Sequence, residues 1–426
     1  MRYKKFLFIL FTAVAGTTWA QDTMHITLDS CLRYAHQHNL QVQTALLNKE
    51  SSDVSLTGAK LRFLPSVSAS ASQGWSWDGQ STSNTQYGIN GSLTLFSGLS
   101  NLRNLQQSRL SNEQSALKVK QTENSIDLQI VQAYLTILMN KEKLSYQQEV
   151  VETSHQQQLE GEVKYQVGRI LESDYLLLGA SYTSAQAELD NTRLTIEDNC
   201  SELASLLCME GTLVDAVPTD DTLRASSRTL PIYDSVLAQA QRSMPEWQIS
   251  AMDVDLARLN VRLAESSFMP TLSLNAGYGG QWMPNTDGSS GSTFSDNTSL
   301  TLGLSIPIFD RGSSITQYKQ SKLSLQQTEL QHQQTLLDLE NQLSTFYINT
   351  QQALNRYRAS EALCEAYHAS YEVYVLKYAE GAVTTVEMLQ QQDKYLSALN
   401  EYLQNKYNYL LAEKQMDIYT GKEIIL

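Results

Sequence analysis

Residues 64–77 read Leu-Pro-Ser-Val-Ser-Ala-Ser-Ala-Ser-Gln-Gly-Trp-Ser-Trp, and this stretch decides the fold. Before it, Leu32, Ala35, Val42, Ala45, Leu46, Val54 and Leu56 recur at helical spacing, with no proline from Leu28 to Leu61. Pro65 stops that helix, because its ring disfavours helical backbone in the residue before it. The period then falls from 3.6 to 2. Val67, Ala69, Ala71, Trp75 and Trp77 alternate with Ser66, Ser68, Ser70, Ser72 and Ser76, which predicts a strand with one apolar and one polar face. After a polar turn from Asp78-Gly79-Gln80 onward, Tyr87, Ile89, Leu93 and Leu95 alternate with Gln86, Asn90, Ser92 and Thr94. A β-hairpin over about 64–96 results.

The passage occurs twice. Met269-Pro270-Thr271-Leu272-Ser273 repeats residues 64–68 at an offset of 205, as Asp234-Ser235 with Leu237 and Ala240 repeats Asp29-Ser30 with Leu32 and Ala35. A second helix is predicted from Tyr233 to Phe268. A second hairpin over about 269–309 goes out through Leu272, Leu274, Ala276, Tyr278 and Trp282 and returns through Leu300, Leu302, Leu304, Ile306 and Ile308. Its polar loop, 284–298, is 8 residues longer than the first, so the offset becomes 213. At that spacing Ala133-Tyr134-Leu135 matches Phe346-Tyr347-Ile348, and Tyr165-Gln166-Val167-Gly168 matches Tyr378-Ala379-Glu380-Gly381. Solenoid units run roughly 20–50 residues, so a unit this long is a duplicated half-protein. The domain plan is a first repeat over 21–215, a linker over 216–230 and a second repeat over 231–426.

From Leu99 to Leu159 there is neither proline nor glycine, enough for roughly 90 Å of helix at the usual rise. Leu110, Leu117, Val131 and Leu138 fall on one seven-residue series, interrupted by Asn124, and Leu323, Leu330 and Leu337 continue it in the second copy. Gly168 and Gly381 mark turns into returning helices. These carry Tyr175, Tyr182, Leu189, Ile196 and Leu203, and Met388, Tyr395, Tyr402, Tyr409 and Met416, again every seven residues. Sustained heptads mean helix-on-helix packing. Such helices are too long and too polar for a bilayer and must project into water.

Arg2, Lys4 and Lys5 precede an apolar run from Phe6 to Gly16, and Thr18-Trp19-Ala20 ends in small residues, as in a secretory signal peptide over 1–20. No later run reaches ~18 apolar residues. The net charge of −14 excludes a nucleic-acid surface. Cys31, Cys200, Cys208 and Cys364 form no Cys-x-x-Cys pair and read as small apolar fillers. No cofactor, metal or catalytic site is expected. His-Glu-x-x-His, Gly-x-Ser-x-Gly and phosphate-cradling glycine motifs are absent, His36 and His38 do not share a helical face, and no methionine cluster offers a soft-metal site.

Trp75, Trp77, Tyr87, Tyr278 and Trp282 lie near strand ends, as a membrane aromatic girdle does. Four amphipathic strands cannot stand alone in lipid, because open edges leave backbone N–H and C=O groups unsatisfied in hydrocarbon. Membrane barrels need about eight strands or more, so the strands must close with copies of themselves. The fold class is thus mixed α+β, predominantly α: internally duplicated, with long coiled-coil hairpins joined to two β-hairpins of a shared barrel.

The sequence resembles the outer-membrane efflux proteins, the TolC-like outer-membrane factors, over essentially the whole mature chain. The likeness rests on Ile26–Leu32 through His38-Asn39-Leu40, the junctions at Pro65 and Pro270, the exits Phe96-Ser97-Gly98 and Phe309-Asp310-Arg311-Gly312, and above all the two glycine tips. It implies a homotrimer with a twelve-stranded barrel in the outer membrane of a Gram-negative bacterium and an α-helical tunnel across the periplasm. It also implies a periplasmic membrane-fusion adaptor and an inner-membrane transporter of the RND, ABC or MFS class. The function implied is a passive exit duct of an efflux pump or type I secretion system.

By the same resemblance, Glu387 and Gln390 stand where two acids ring the closed periplasmic aperture, so one acid is kept. Asp174 matches a residue that bonds a tyrosine at the position of Tyr378, and Val383 stands in place of an arginine. Val167, Gly168, Arg169, Gly381 and Ala382 match the tip surface that meets the adaptor. A periplasmic structural or adaptor coiled-coil protein without a pore is the competing reading. It accounts for the helices but not for the two hairpins.

Overall fold

The computed structural model describes residues 23–78, 80–209, 211–218, 230–284 and 292–422, so the signal peptide expected at 1–20 lies outside the described residues. The first copy comprises β1 (Thr23–Ile26), α1 (Leu28–His38), α2 (Leu40–Leu61), β2 (Ser66–Asp78), β3 (Gln80–Ser97), α3 (Ser100–Gln166) and α4 (Glu172–Leu206). After β4 (Leu213–Ala216), the same order recurs in α5 (Tyr233–Ser243), α6 (Pro245–Glu265), β5 (Thr271–Pro284), β6 (Ser292–Ser305), α7 (Ser313–Ala379) and α8 (Thr385–Tyr419).

Each opening helix, expected as one piece, is broken. The first breaks at Asn39, which has extended backbone and caps α2 by accepting from the N–H groups of Gln41 and Val42. The second breaks at Met244, because Pro245 suits only the first turn of a new helix. A short 3₁₀ turn, Ser266–Phe268, follows α6.

The strands form one antiparallel sheet in the order β2-β3-β5-β6, so the two hairpins pair with each other and β2 and β6 are its edges. The returning strand starts at Ser292, inside the expected loop, and residues 285–291 lie outside the described set. It ends at Ser305, which corrects the reading of Ile306 and Ile308 as strand residues. Pro307 lies between them and has no N–H for a ladder. A bulge between Thr94 and Phe96 puts Phe96, rather than Leu95, opposite Leu272. Both strand exits need left-handed backbone: φ is 60° at Gly98, 69° at Leu99, 58° at Arg311 and 81° at Gly312. A Cβ on Gly98 would also lie 2.7 Å from the Ser266 carbonyl, so only glycine fits there.

The long helices α3 and α7 each have 67 residues, roughly 100 Å. Near the sheet the helices lie side by side as α2-α3-α6-α7. Farther out α4 and α8 take over, with α3 against both and α7 against α8. The largest core surrounds the middle of α3, where Ile126, Ile130, Tyr134, Ile137 and Leu138 pack with Cys31, Ala35, Leu203 and Val214. β1 and β4 pair in parallel over this core, and the Tyr134 hydroxyl ties them by donating to the carbonyls of Val217 (2.6 Å) and Ile26 (3.3 Å). The second copy has a smaller core of Val236, Ala240, Trp247, Leu343 and Met416. All four cysteines are free thiols, and Cys208 lies just past the end of α4.

Candidate functional site: the sheet and the helical tip

The sheet register determines what each face presents. Directly opposed residues in an antiparallel sheet share a face. Ala71 faces Tyr87, Tyr87 faces Gly280, Ile89 faces Tyr278, and Tyr278 faces Thr298. One face therefore carries Val67, Ala69, Ala71, Ile89, Leu93, Leu272, Leu274, Leu300, Leu302 and Leu304. It also carries all five predicted girdle aromatics, Trp75, Trp77, Tyr87, Tyr278 and Trp282, and every one of them is exposed. Phe294 joins this belt opposite Trp282 and stacks on Tyr87 with ring centroids 6.0 Å apart. Sequence reading missed it because it lies in the stretch taken as loop.

The ten steps from Leu272 to Trp282 span about 34 Å along the strand, or roughly 26 Å at a tilt of about 40°. That is the height of the apolar band of a membrane barrel. Around the helix–sheet junctions Phe63, Phe96, Phe268 and Phe309 are also exposed, and periodicity did not single them out. The opposite face, from Ser66 to Ser76 and across to Ser299 and Thr301, is serine, threonine, asparagine, glutamine and glycine. Among the described residues no helix is long and apolar enough to cross a membrane.

The tips are built alike. At the end of α3, Gly168 (φ 73°) lets the Arg169 N–H donate to the Lys164 carbonyl at 2.8 Å. At the end of α7, Gly381 (φ 78°) lets the Ala382 N–H donate to the Lys377 carbonyl at 2.8 Å. These bonds close the helix ends, and glycine supplies the left-handed residue they need. Val167, Gly168, Arg169, Gly381 and Ala382 are all exposed, so the structure brings the predicted adaptor-contact residues to one solvent-facing end. Tyr165 and Tyr175 stack across the first turn at 5.6 Å.

The residues expected at the aperture differ in their surroundings. Glu387 begins α8 in a capping box: its Oε2 accepts from the Thr384 N–H (2.8 Å) and hydroxyl (3.0 Å), while its own N–H donates to Thr384 Oγ1 (3.2 Å). The backbone N–H of Thr384, then its hydroxyl, hold the carboxyl below its ordinary pKa, so it stays ionised. Gln390 is exposed one turn further.

The expected bond from Asp174 to Tyr378 is not made, and that reading is corrected. Tyr378 is buried against Leu178 and Met388 with Lys164 4.2 Å above its ring, and its hydroxyl has no hydrogen-bond partner. Asp174 stays in the first turn of α4. Val383 joins the same apolar cluster. Sequence reading also missed a polar seam between α3 and α8. There Glu142 accepts twice from Lys406 at 2.8 Å and once from the Tyr407 hydroxyl at 2.9 Å; farther out, the Gln157 amide of α3 donates to the Tyr371 hydroxyl of α7 at 3.2 Å.

The family model described as outer membrane efflux protein matches residues 32–208 and 221–422. The chain belongs to this family. It is similar to the outer membrane protein TolC of Vibrio cholerae, with 20% identity over 423 residues, 97% of this chain and 94% of that one. The alkaline protease secretion protein AprF of Pseudomonas aeruginosa is 20% identical over 297 residues, 69% of this chain and 61% of that one. The solved outer-membrane channel OprN superposes with a TM-score of 0.78 at 19% identity, covering 93% of this chain and 90% of that one, a likeness of fold. Membership makes the chain an outer-membrane efflux channel that extends into the periplasm, and it rules against the poreless coiled-coil reading.

Proposed function

We propose that three copies of the chain close into one duct, with a twelve-stranded barrel in the outer membrane and a helical tunnel that narrows at the Gly168 and Gly381 tips. One observation carries this reading: a four-stranded sheet with an aromatic-ended apolar face and two unpaired edges. Such a sheet is unstable in lipid until its edges find partners. An adaptor protein at the exposed tip and an inner-membrane transporter complete an export machine. Small-molecule efflux and protein secretion both suit this exit, and AprF is named for the latter. The halves 21–215 and 231–426 act as equivalent wall segments joined by 216–230.

Glu387 contributes the fixed negative charge at the aperture, with Gln390 as its neutral neighbour. Single-channel recording in planar bilayers tests this. Glu387→Gln keeps a residue suited to the capping box and removes only the charge, so cation preference should fall. Glu387→Ala also loses its half of the capping box and should raise conductance. Unchanged selectivity in both variants would remove Glu387 from the aperture.

A further inference from the structure

Charge is unevenly placed along the chain. The four segments that join helices to sheet, 58–66, 96–104, 262–270 and 305–322, hold seven lysines and arginines against two carboxylates, although the whole chain carries −14. The sheet segments 67–95 and 271–304 contain no lysine or arginine. Both carboxylates are engaged. Glu265 lies 3.8 Å from Arg103, and Asp310 accepts from the N–H groups of Ser314 (2.7 Å) and Gly312 (3.1 Å) at the start of α7. Two pairs of cations stand at the outer edges: Lys60 and Arg62 where α2 leads into β2, and Arg311 and Lys319 where β6 leads into α7. All four are exposed, and among the described residues none of them forms an ion pair. A helix C-terminus favours the first pair. Arg311 instead precedes a helix N-terminus, where the dipole opposes it, so helix electrostatics do not account for the set.

β2 and β6 are the unpaired edges of the sheet, and α2 and α7 are the outer helices beside them. Closing the trimer proposed above therefore sets Lys60 and Arg62 of one copy on the same seam as Arg311 and Lys319 of the next. Like charges then meet with no free carboxylate in either junction, and such a seam needs an anion from outside the chain. Exposed apolar residues are interleaved with these cations: Phe63 (46%) and Leu64 (60%) beside Arg62, and Ile308 (94%) and Phe309 (84%) beside Arg311. Cations beside apolar anchors at the end of a membrane segment suit the headgroup layer, where anionic lipid attracts each lysine or arginine. An inorganic anion would answer the charge but leave Ile308 and Phe309 in water. We infer that each seam binds an anionic phospholipid of the periplasmic leaflet. Its phosphate lies against Arg62 of one copy and Arg311 of the next, and its acyl chains cover Phe63, Ile308 and Phe309. The site is incomplete without the neighbouring copy, so it rests on the trimer reading.

Native mass spectrometry of the full-length protein in neutral detergent reads assembly and bound lipid in one spectrum. Dioleoylphosphatidylglycerol is the anionic probe and dioleoylphosphatidylcholine the zwitterionic control. Trimers should retain the first in preference to the second, and excess inorganic phosphate should not displace it. Arg62→Gln with Arg311→Gln removes two charges from each seam and should lower the affinity for phosphatidylglycerol about thirtyfold. Arg62→Lys with Arg311→Lys keeps the charges and should keep the binding. Arg193→Gln, on α4 and away from the sheet, should bind as the unaltered protein does. Trimers that hold both lipids alike, displacement by phosphate, or unchanged affinity in the double glutamine variant would each overturn this inference and leave the trimer standing. A spectrum of monomers alone would overturn the trimer, and the seam site with it.

Discussion

The two long helices have equal lengths and equivalent positions in the repeat, yet one is wrapped and the other bare. α3 is flanked by α2 and α6 near the sheet and by α4 and α8 farther out, and it buries Ile126, Ile130, Val131, Tyr134, Leu135, Ile137 and Leu138. α7 has neighbours on one side, and its heptad residues Leu323, Leu330 and Leu337 are 64%, 66% and 56% exposed. The opposite edge of the molecule, α2, is bare in the same way. Leu40, Leu47, Val54 and Leu61 stand seven residues apart and are all more than half exposed. Two apolar stripes of the same period, on opposite edges, suit a head-to-tail contact between copies, and such contacts close into rings. The duplication thus makes four wall strips per chain, and in the proposed trimer the bare pair is where the next chain would pack.

The largest effect should come from breaking that pairing. Leu330→Glu places a charge in each subunit contact, where a buried leucine would contribute about 2 kcal/mol. The assembly should be lost, as read by light scattering of the detergent-solubilised protein. The same change at Leu117, which is half-buried within the chain, should instead lower stability without selectively removing the assembly. If Leu330→Glu stays fully assembled, the bare stripe is not the contact.

The two halves also share a hydrogen bond that differs in its burial. Tyr134 donates to the Ile26 carbonyl, and Tyr347 donates to the matching Pro231 carbonyl at 3.0 Å. Tyr134 is fully buried and Tyr347 half-buried. Tyr134→Ala should cost about 3–5 kcal/mol, as large-to-small core changes do, and Tyr347→Ala about 1–2. Denaturant midpoints of the two variants measure the gap. Equal costs would mean that the cores of the two halves are equivalent after all.

These contrasts explain how much of the molecule was legible beforehand. The period change at Pro65 and Pro270 gave the sheet and its two faces, because alternation is enforced by the pleat itself. Glycine at 168 and 381 gave the tips, because only a left-handed residue closes those helix ends. The breaks at Asn39 and Met244 were hidden. Asn39 acts through a side-chain cap within an otherwise regular helical pattern, and Pro245 can open a helix as readily as end one. Phe294 was hidden by the polar residues around it. The surroundings of Tyr378 were not readable at all, since Leu178 and Lys164 reach it from α4 and α3 of the other hairpin, and Met388 from the start of α8. Local pattern fixes elements, whereas contacts between hairpins depend on how the hairpins dock.

A smaller effect concerns the seam where α1 meets α3. His36 Nε2 lies 2.7 Å from Asp127, and this hydrogen bond raises the imidazole pKa above its usual value. The neighbouring Glu123 adds to that shift, while partial burial and Lys120 oppose it. A raised pKa means the folded state holds the proton more tightly than the unfolded one. The bond therefore contributes stability that is fully present below about pH 6.5 and is lost as pH rises through the higher folded-state value. The second copy has Ala240 at the position corresponding to Ala35, and Gln241 at that of His36, so only the first half carries this dependence. His36→Gln should flatten the fall in melting temperature between about pH 6 and 8. An unchanged slope would place the titration elsewhere.

The smallest expected effect separates two accounts of the closing contact at the tip. If Tyr378 were held by Asp174, Tyr378→Phe would remove a hydrogen bond to a charged acceptor, at about 1.5–3 kcal/mol, and would loosen the tip. In the structure the hydroxyl is buried without a partner, so removing it relieves an unsatisfied polar group and keeps the ring against Leu178, Met388 and Lys164. Tyr378→Phe should therefore be neutral or slightly stabilising in denaturant and should leave single-channel conductance unchanged. Tyr378→Ala should do neither, because it empties the cluster and removes the ring beneath Lys164. A phenylalanine variant that behaved like the alanine one would restore the Asp174 contact, and the tip would then close through a polar bond and not through packing.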